Sequence, residues 1–346
     1  MMENPLIRGE LDPPQPPLIR GELENTALGC LLGALIGDAA GATLEFLGRK
    51  PTAADVDFAL TLPGGGCWEL APGQVTDDGE LTLCLAAALA DNSSFSLEAI
   101  ARNYARWVDS EPFDIGMTTA RTLGSYAESK WQELRKKEGY AGVMTAAAKS
   151  RSMDSKANGS LMRISPLGVW GYKYKDEELA NFARLDSGLS HPNPSCGDAV
   201  ACYTIAIASL MREKGDRETA FTRAKNWAVA NANGEVGSWL EDGENNLDIP
   251  YSPHIGFVKI AFTHAFRHLL LGSDWVTAIR ETLLGGGDTD TNACIVGGLV
   301  GAAVGAEGIP KEMKNKVLNC NLGLGKNPRP GFLHPSQIVG FVEKLV

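Results

Sequence analysis

The sequence predicts an all-α protein built as one compact domain behind a short proline-rich tail. Three observations carry that reading. Apolar residues recur at helical spacing from about Glu24 to the end, sustained period-two alternation is absent, and hydrophobic residues make up 44% of the 346.

The first 23 residues stand apart. Pro5-Leu6-Ile7-Arg8-Gly9-Glu10-Leu11 returns unchanged as Pro17 through Leu23, with Asp12-Pro13-Pro14-Gln15-Pro16 between the copies. Proline at this density blocks helix and favours extended conformations, and two copies are too few for a solenoid. Residues 1–23 therefore read as a tail, a candidate contact for a partner protein, and 24–346 as the domain proper.

Within the domain, Leu28, Leu31, Leu32, Leu35 and Ile36 trace the stripe of an amphipathic helix. Leu81, Cys84, Leu85, Ala88 and Leu89 repeat it, and Leu97, Ile100, Ala101, Tyr104 and Val108 do so again behind Ser96, a suitable N-cap. Further helices are expected over Val200 to Met211, Glu218 to Ala230, Phe257 to Leu271, Trp275 to Leu283 and Thr291 to Val304. The series closes with Lys311 to Cys320, Pro310 leading its first turn, and Ser336 to Leu345. Gly33, Ala34, Gly37, Ala40 and Gly41 leave the first helix nearly bare, as Gly297, Gly298, Gly301 and Gly305 do late in the chain. Glycine inside a helix costs about 1 kcal/mol against alanine. That cost makes sense where helices pack at close quarters.

Composition narrows the function classes. A formal net charge of −10 argues against general nucleic-acid binding. No apolar run reaches the roughly 18 uncharged residues that span a bilayer, so no membrane partner is expected. The seven cysteines are scattered without paired spacing, and the first residues show no basic segment followed by an apolar one. Both point to a reduced, cytoplasmic setting. No Cys-x-x-Cys or His-rich cluster suggests zinc.

The chemistry concentrates in two acidic clusters, Thr76-Asp77-Asp78 and Gly285-Gly286-Gly287-Asp288-Thr289-Asp290-Thr291, each just ahead of an apolar helix. Taken singly, Thr76 could be an N-cap with two acids favoured by the helix dipole. Taken together, four carboxylates and two or more threonine oxygens in one small volume would repel badly without metal. Oxygen-only ligands suit Mg²⁺, Mn²⁺ or Ca²⁺, and hydrolysis assisted by such ions is the chemistry they suggest.

At this point the residues resemble a known family. Gly33-Ala34-Leu35-Ile36-Gly37-Asp38-Ala39-Ala40-Gly41, followed by Glu45-Phe46, is similar to the opening motif of the ADP-ribosylglycohydrolases. The likeness continues through Thr76-Asp77-Asp78, Asn158 to Pro166, Ser190-His191-Pro192, Gly286 to Thr291, Gly301 to Gly305 and Ile309-Pro310, in the family's order. Any one block is weak; the series is specific.

The resemblance implies a domain of orthogonally packed helices with two Mg²⁺ (or Mn²⁺) ions held by Thr76, Asp77, Asp78, Asp288, Asp290 and Thr291. It implies hydrolysis of the N-glycosidic bond joining ADP-ribose to a protein arginine, with an ADP-ribosylated protein as substrate and ADP-ribose as product. Asp77, Asp288, Glu45 and Asp114 would be the catalytic carboxylates, Glu45 serving as ligand, gate or base, and Asp114 orienting the guanidinium. Asp114, Gly116, Asn158, Gly159, Ser160 and His191 would contact the ligand, and Arg163 could do so or brace the fold. Trp239 and Tyr251 are candidates to stack on adenine. Where many members carry a third threonine after Thr-Asp-Asp, this chain has Gly79 and then Glu80, a candidate outer partner. Two alternatives share the fold: hydrolysis of a serine-linked or free ADP-ribose derivative, and a catalytically silent binding protein.

Overall fold

The computed structural model describes residues 20–346, which form sixteen α-helices, short 3-10 turns and no strand, only two isolated bridges. In chain order the helices are α1 Arg20–Gly41, α2 Ala53–Ala59, α3 Asp77–Ala90, α4 Leu97–Val108, α5 Met117–Leu123, α6 Gln132–Arg151, α7 Ser165–Trp170 and α8 Asp176–Ser187. They continue as α9 Pro194–Arg212, α10 Arg217–Asn231, α11 Gly234–Glu244, α12 Val258–Leu270, α13 Trp275–Gly285, α14 Thr289–Val304, α15 Lys311–Leu318 and α16 Gln337–Leu345. One continuous hydrophobic core runs from Ala27 to Leu345, so the described chain is a single all-α domain, as expected.

Local sequence explains many of the helix starts. Thr52 and Asp55 form a capping box on α2. Ser96, Asn193, Asp216, Asn233 and Asp274 each accept a hydrogen bond from a first-turn N–H of the helix that follows. Several expectations need correction. The first helix begins at Arg20, whose Nε pairs with Glu24, so the last four residues of the second repeat are helical. The first copy and the candidate partner contact lie outside the described residues. The helix expected from Val200 starts six residues earlier, because Pro194 opens its first turn behind Asn193.

Helices α2, α5, α6, α7, α8 and α11 have no counterpart in the periodicity reading. In α6 the repeat is broken at Gly139, where φ is 71° and the Glu98 carboxylate caps the resumed helix by accepting from the Ala141 N–H at 2.9 Å. α9 is long and apolar enough to cross a membrane by length and composition, but 94% of that stretch is buried inside the protein. It is a core helix, and it carries Asp198 paired with Arg184.

The centre of the fold is the antiparallel contact of α1 and α14. A Cβ placed on Gly29, Gly33 or Gly37 would lie 2.4, 2.2 or 2.1 Å from the carbonyl oxygen of Gly301, Gly297 or Ala293, and one on Gly41 2.3 Å from that of Thr289. Each four-residue step along α1 is matched by four residues back along α14. The helices therefore touch backbone to backbone over more than three turns. α1 is buried on every side from Gly29 to Gly41, beyond the single stripe expected of an amphipathic helix. Four glycines cost about 4 kcal/mol at roughly 1 kcal/mol each. Burying Leu31, Leu32, Leu35 and Ile36, at about 1.5–3 kcal/mol apiece, more than offsets that.

This contact sets the site: the C-terminal end of α1 is held against the first turn of α14, where the Thr289 hydroxyl donates to the Gly41 carbonyl at 2.8 Å. Gly37→Val should push the two backbones apart and cost roughly 1–3 kcal/mol or more, read as a lower unfolding midpoint. An unchanged midpoint would mean the helices do not meet there.

Candidate functional site

Three chain segments bring carboxylates to one end of the α1–α14 pair. Asp77 and Asp78 lie in the first turn of α3, Asp288 and Asp290 at the start of α14, and Glu45 in the turn just beyond α1. The clusters do meet: the Thr291 hydroxyl and the Thr76 hydroxyl both donate to Asp78 Oδ2, each at 3.3 Å. Carboxylate oxygens of Glu45, Asp114 and Asp290 lie within 4.8 Å of one another, which brings the Asp114 loop into the same group. The loop before α14 turns through Gly286 and Gly287 at φ 76° and 75°, a conformation that favours glycine.

A residue the sequence reading passed over organises the floor. Asp38 of α1 is fully buried and accepts from the Thr76 and Gly79 N–H groups, at 3.0 and 2.8 Å, and from the Thr76 hydroxyl at 2.9 Å. Asp38 thus caps α3 from outside, and Thr76 makes no cap of its own. The same contact explains Gly79: a Cβ there would sit 2.7 Å from Asp38 Oδ2 and from Val75, so a third threonine has no room.

Burial raises every carboxyl in the group. Asp77 is pushed up to about 7, first by burial and then by the charges of Asp288 and Glu45, against one weak hydrogen bond from the Gly116 N–H. Burial, then Asp77 and Glu45, push Asp114 up to about 9, and burial puts Asp38 at about 8. Asp78 and Asp290 rise well above the carboxylate range by burial and surrounding like charge, and Asp288 and Glu45 are raised mainly by burial. Asp78 Oδ1 is buried without a hydrogen-bond partner. An all-oxygen, negatively charged, partly orphaned donor set fits hard divalent cations.

The ligand candidates divide. Gly116 is exposed beside the site, its N–H 3.4 Å from Asp77 Oδ2. Asn158 grips Asp288 through an Nδ2 hydrogen bond of 2.8 Å. Ser160 is fully buried against the Ser187 hydroxyl, and His191 is 1% exposed, hydrogen-bonded to Ser190 and packed where a Gly159 side chain would be. Ser160 and His191 thus also support the loop, through Ser187 and Ser190. Burial and the nearby Arg163 lower His191 to about 3, keeping it neutral. Arg163 braces: wholly buried, it bonds Asp186, Ser190 Oγ and the Gly159 carbonyl. Trp239 is buried between Phe257 and Phe262, and Tyr251 stacks on His264 at 4.2 Å, so neither is free to stack on adenine.

Two further residues support the site. Trp68, which follows three glycines in the loop ahead of the first cluster, donates its indole N–H to Glu45 Oε2 at 2.6 Å. That lone aromatic in a glycine turn was the available sequence signal. Glu80 faces away from the carboxylates, accepting from Trp107 and from Arg329 Nε at 2.7 Å each. Arg329 also donates to the Ser110 and Glu111 carbonyls, and so ties the loop leading to Asp114 onto α3. A cleft of about 850 Å³, lined by Glu45, Phe46, Lys50, Ile255 and Asp288, opens from the group.

Two tests follow from this geometry. The raised carboxyls bind protons more readily folded than unfolded, so stability falls as pH rises. In EDTA the thermal midpoint should decline from about pH 4, the ordinary carboxylate range, to about 9, the value of Asp114; a flat or rising midpoint would contradict a buried like-charge group. Arg329→Met leaves Glu80 buried and unpaired and should cost about 3–5 kcal/mol in denaturant unfolding. Adding Glu80→Gln should recover part of that loss.

Comparison with known proteins bears on the family and the fold. The family model described as ADP-ribosylglycohydrolase matches residues 20–330. A protein of Acanthamoeba polyphaga mimivirus named as an ADP-ribosyl glycohydrolase is 29% identical over 305 residues, covering 81% of this chain and 87% of its own. The ADP-ribosyl-dinitrogen reductase glycohydrolase of Rhodospirillum rubrum is 26% identical, covering 80% of this chain and 85% of its own. An ADP-ribosylarginine hydrolase of Pseudomonas putida is also 26% identical, covering 80% and 70%. A solved structure named as an ADP-ribosylglycohydrolase-related protein complex shares the fold, with a TM-score of 0.70 at 23% identity over 94% of this chain and 98% of that one. With a family match across nearly all the described residues, and relatives named as glycosidase-type hydrolases, the chain belongs to the ADP-ribosylglycohydrolase family.

Proposed function

We propose that the protein hydrolyses the N-glycosidic bond between ADP-ribose and an arginine side chain of a target protein. The observation that carries this reading is the convergence of Glu45, Asp114 and Asp290 within 4.8 Å, with Glu45 also lining the cleft beside Asp288. Relatives named for arginine-linked and dinitrogen reductase-linked ADP-ribose support the linkage.

Thr76, Asp77, Asp78, Asp288, Asp290 and Thr291 would hold two divalent cations, Mg²⁺ or Mn²⁺. When bound, these supply Lewis-acid attraction for ribose hydroxyls and lower the pKa of a water. The protein's own groups do the rest. Asp78, fixed by Thr76 and Thr291, and Asp288, fixed by Asn158, keep their oxygens aimed inward without reorganising. Glu45, held by Trp68, is positioned to accept a proton from the attacking water. Asp114 pairs with the planar guanidinium fork and orients it for departure. In balance, the C1″–N bond breaks, a C1″–O bond forms from water, and the water's proton ends on the leaving guanidine nitrogen. The transition state gathers positive charge on the sugar, which the neighbouring carboxylates stabilise.

The test is release of ADP-ribose from an arginine-ADP-ribosylated protein, with Mg²⁺ or Mn²⁺ and then with EDTA. Chelation, Asp77→Asn and Asp290→Asn should each lower release by about a hundredfold or more. Both variants should also raise the metal-free thermal midpoint, since each removes one like charge from the buried group. Release from serine-linked substrate alone would reassign the linkage, and binding of ADP-ribose with no release from any linkage would make the protein a silent binder.

A further inference from the structure

Three aromatic side chains cluster beside Glu45 and next in the chain to Asp114, the carboxylate that the hydrolytic reading gives to the leaving group. Phe46 follows Glu45 in the chain, Phe113 precedes Asp114, and Trp68 joins them. Its ring centroid lies 6.3 Å from that of Phe46 and 5.8 Å from that of Phe113. The indole is fixed at both ends, its N–H on Glu45 and its backbone carbonyl accepting from Asn327 Nδ2 at 2.9 Å.

Two features set this group apart from ordinary packing. Phe46 is 67% exposed and holds a φ of 52°, a left-handed conformation that a bulky residue rarely adopts. The fold thus accepts backbone strain to present an apolar ring to solvent at the rim of the cleft. Phe113 already receives a guanidinium, that of Arg329, 5.9 Å from its ring centre. Aromatic faces beside the Asp114 carboxylate suit a planar cation, which gains ring attraction and a charge-assisted hydrogen bond together. They offer nothing comparable to a neutral hydroxyl leaving group.

We propose that Phe46, Trp68 and Phe113 form a seat for the guanidinium of the modified arginine, and that this seat sets the preference for arginine-linked over serine-linked ADP-ribose. The proposal deepens the hydrolytic reading and rests on it. The seat binds the cation in the substrate and again in the product, where arginine and ADP-ribose are side by side.

The experiment titrates agmatine, a free guanidinium compound, into the Mg²⁺-loaded protein with saturating ADP-ribose, followed by NMR, and measures KM for arginine-linked and serine-linked ADP-ribosyl peptides. Phe46→Ala, at an exposed position, and Trp68→Ala should each weaken agmatine by about 2- to 30-fold. Phe46→Ala should also raise KM for the arginine-linked peptide while leaving ADP-ribose affinity within about twofold. Phe46→Trp should restore both. Agmatine that fails to bind the unaltered protein at millimolar concentration, or binds Phe46→Ala equally well, overturns the seat. Agmatine binding that depends on Phe46 without any release from arginine-linked substrate keeps the seat and removes the hydrolytic reading.

Discussion

Six carboxylates and the buried Asp38 occupy one end of this molecule, and the charge among them is the constraint to which the surrounding structure answers. Burial and like-charged neighbours together lift Asp77 to about 7 and Asp114 to about 9, so a neutral solution works against the arrangement. A fold that assembles such a group must hold it by forces the repulsion cannot undo. Here those forces are the close contact of α1 with α14, the capping of α3 by Asp38, and the Glu80–Arg329 pair that anchors the Asp114 loop. The α1–α14 contact and the Arg329 guanidinium work from outside the group, while Asp38 spends its own buried charge on the N–H groups of Thr76 and Gly79.

The same division separates residues that hold the site from those exposed to it. Arg163, wholly buried, spends its guanidinium on Asp186, Ser190 and Gly159 while lying 4.7 Å over Tyr104. It locks the turn from which Asn158 reaches Asp288. Ser160 and His191 belong to that support. Both are buried in the loop they help to shape.

Much of this was legible in the sequence, for identifiable reasons. The two acidic clusters announced themselves because oxygen ligands ahead of apolar helices are chemically uneconomical without a shared purpose. The glycine series at 33, 37 and 41 and at 297 and 301 was legible because four-residue spacing aligns them on one helical face. What stayed hidden depends on three-dimensional neighbours. Asp38 sits inside an apolar helix and shows its role only once α3 is laid against it. Helix α6 was obscured by the break at Gly139, and α11 by three glycines that lower its intrinsic propensity. Trp239 and Tyr251 read as available rings because aromatic residues carry no sequence mark of which face is covered.

The α1–α14 contact has a consequence for how the protein comes into being. Gly41 and Thr289, hydrogen-bonded in the finished molecule, are 248 residues apart. At about 5–20 residues per second, a ribosome takes roughly 12 to 50 s to travel that distance. For that interval the nascent α1 exists without the partner its bare glycine face was built to meet, and no part of the acidic group is complete. The long separation makes assembly late and dependent on the far end of the message. A chain interrupted before α14 would carry half of the ligands and an uncovered apolar helix, material for a chaperone or a protease and not for catalysis.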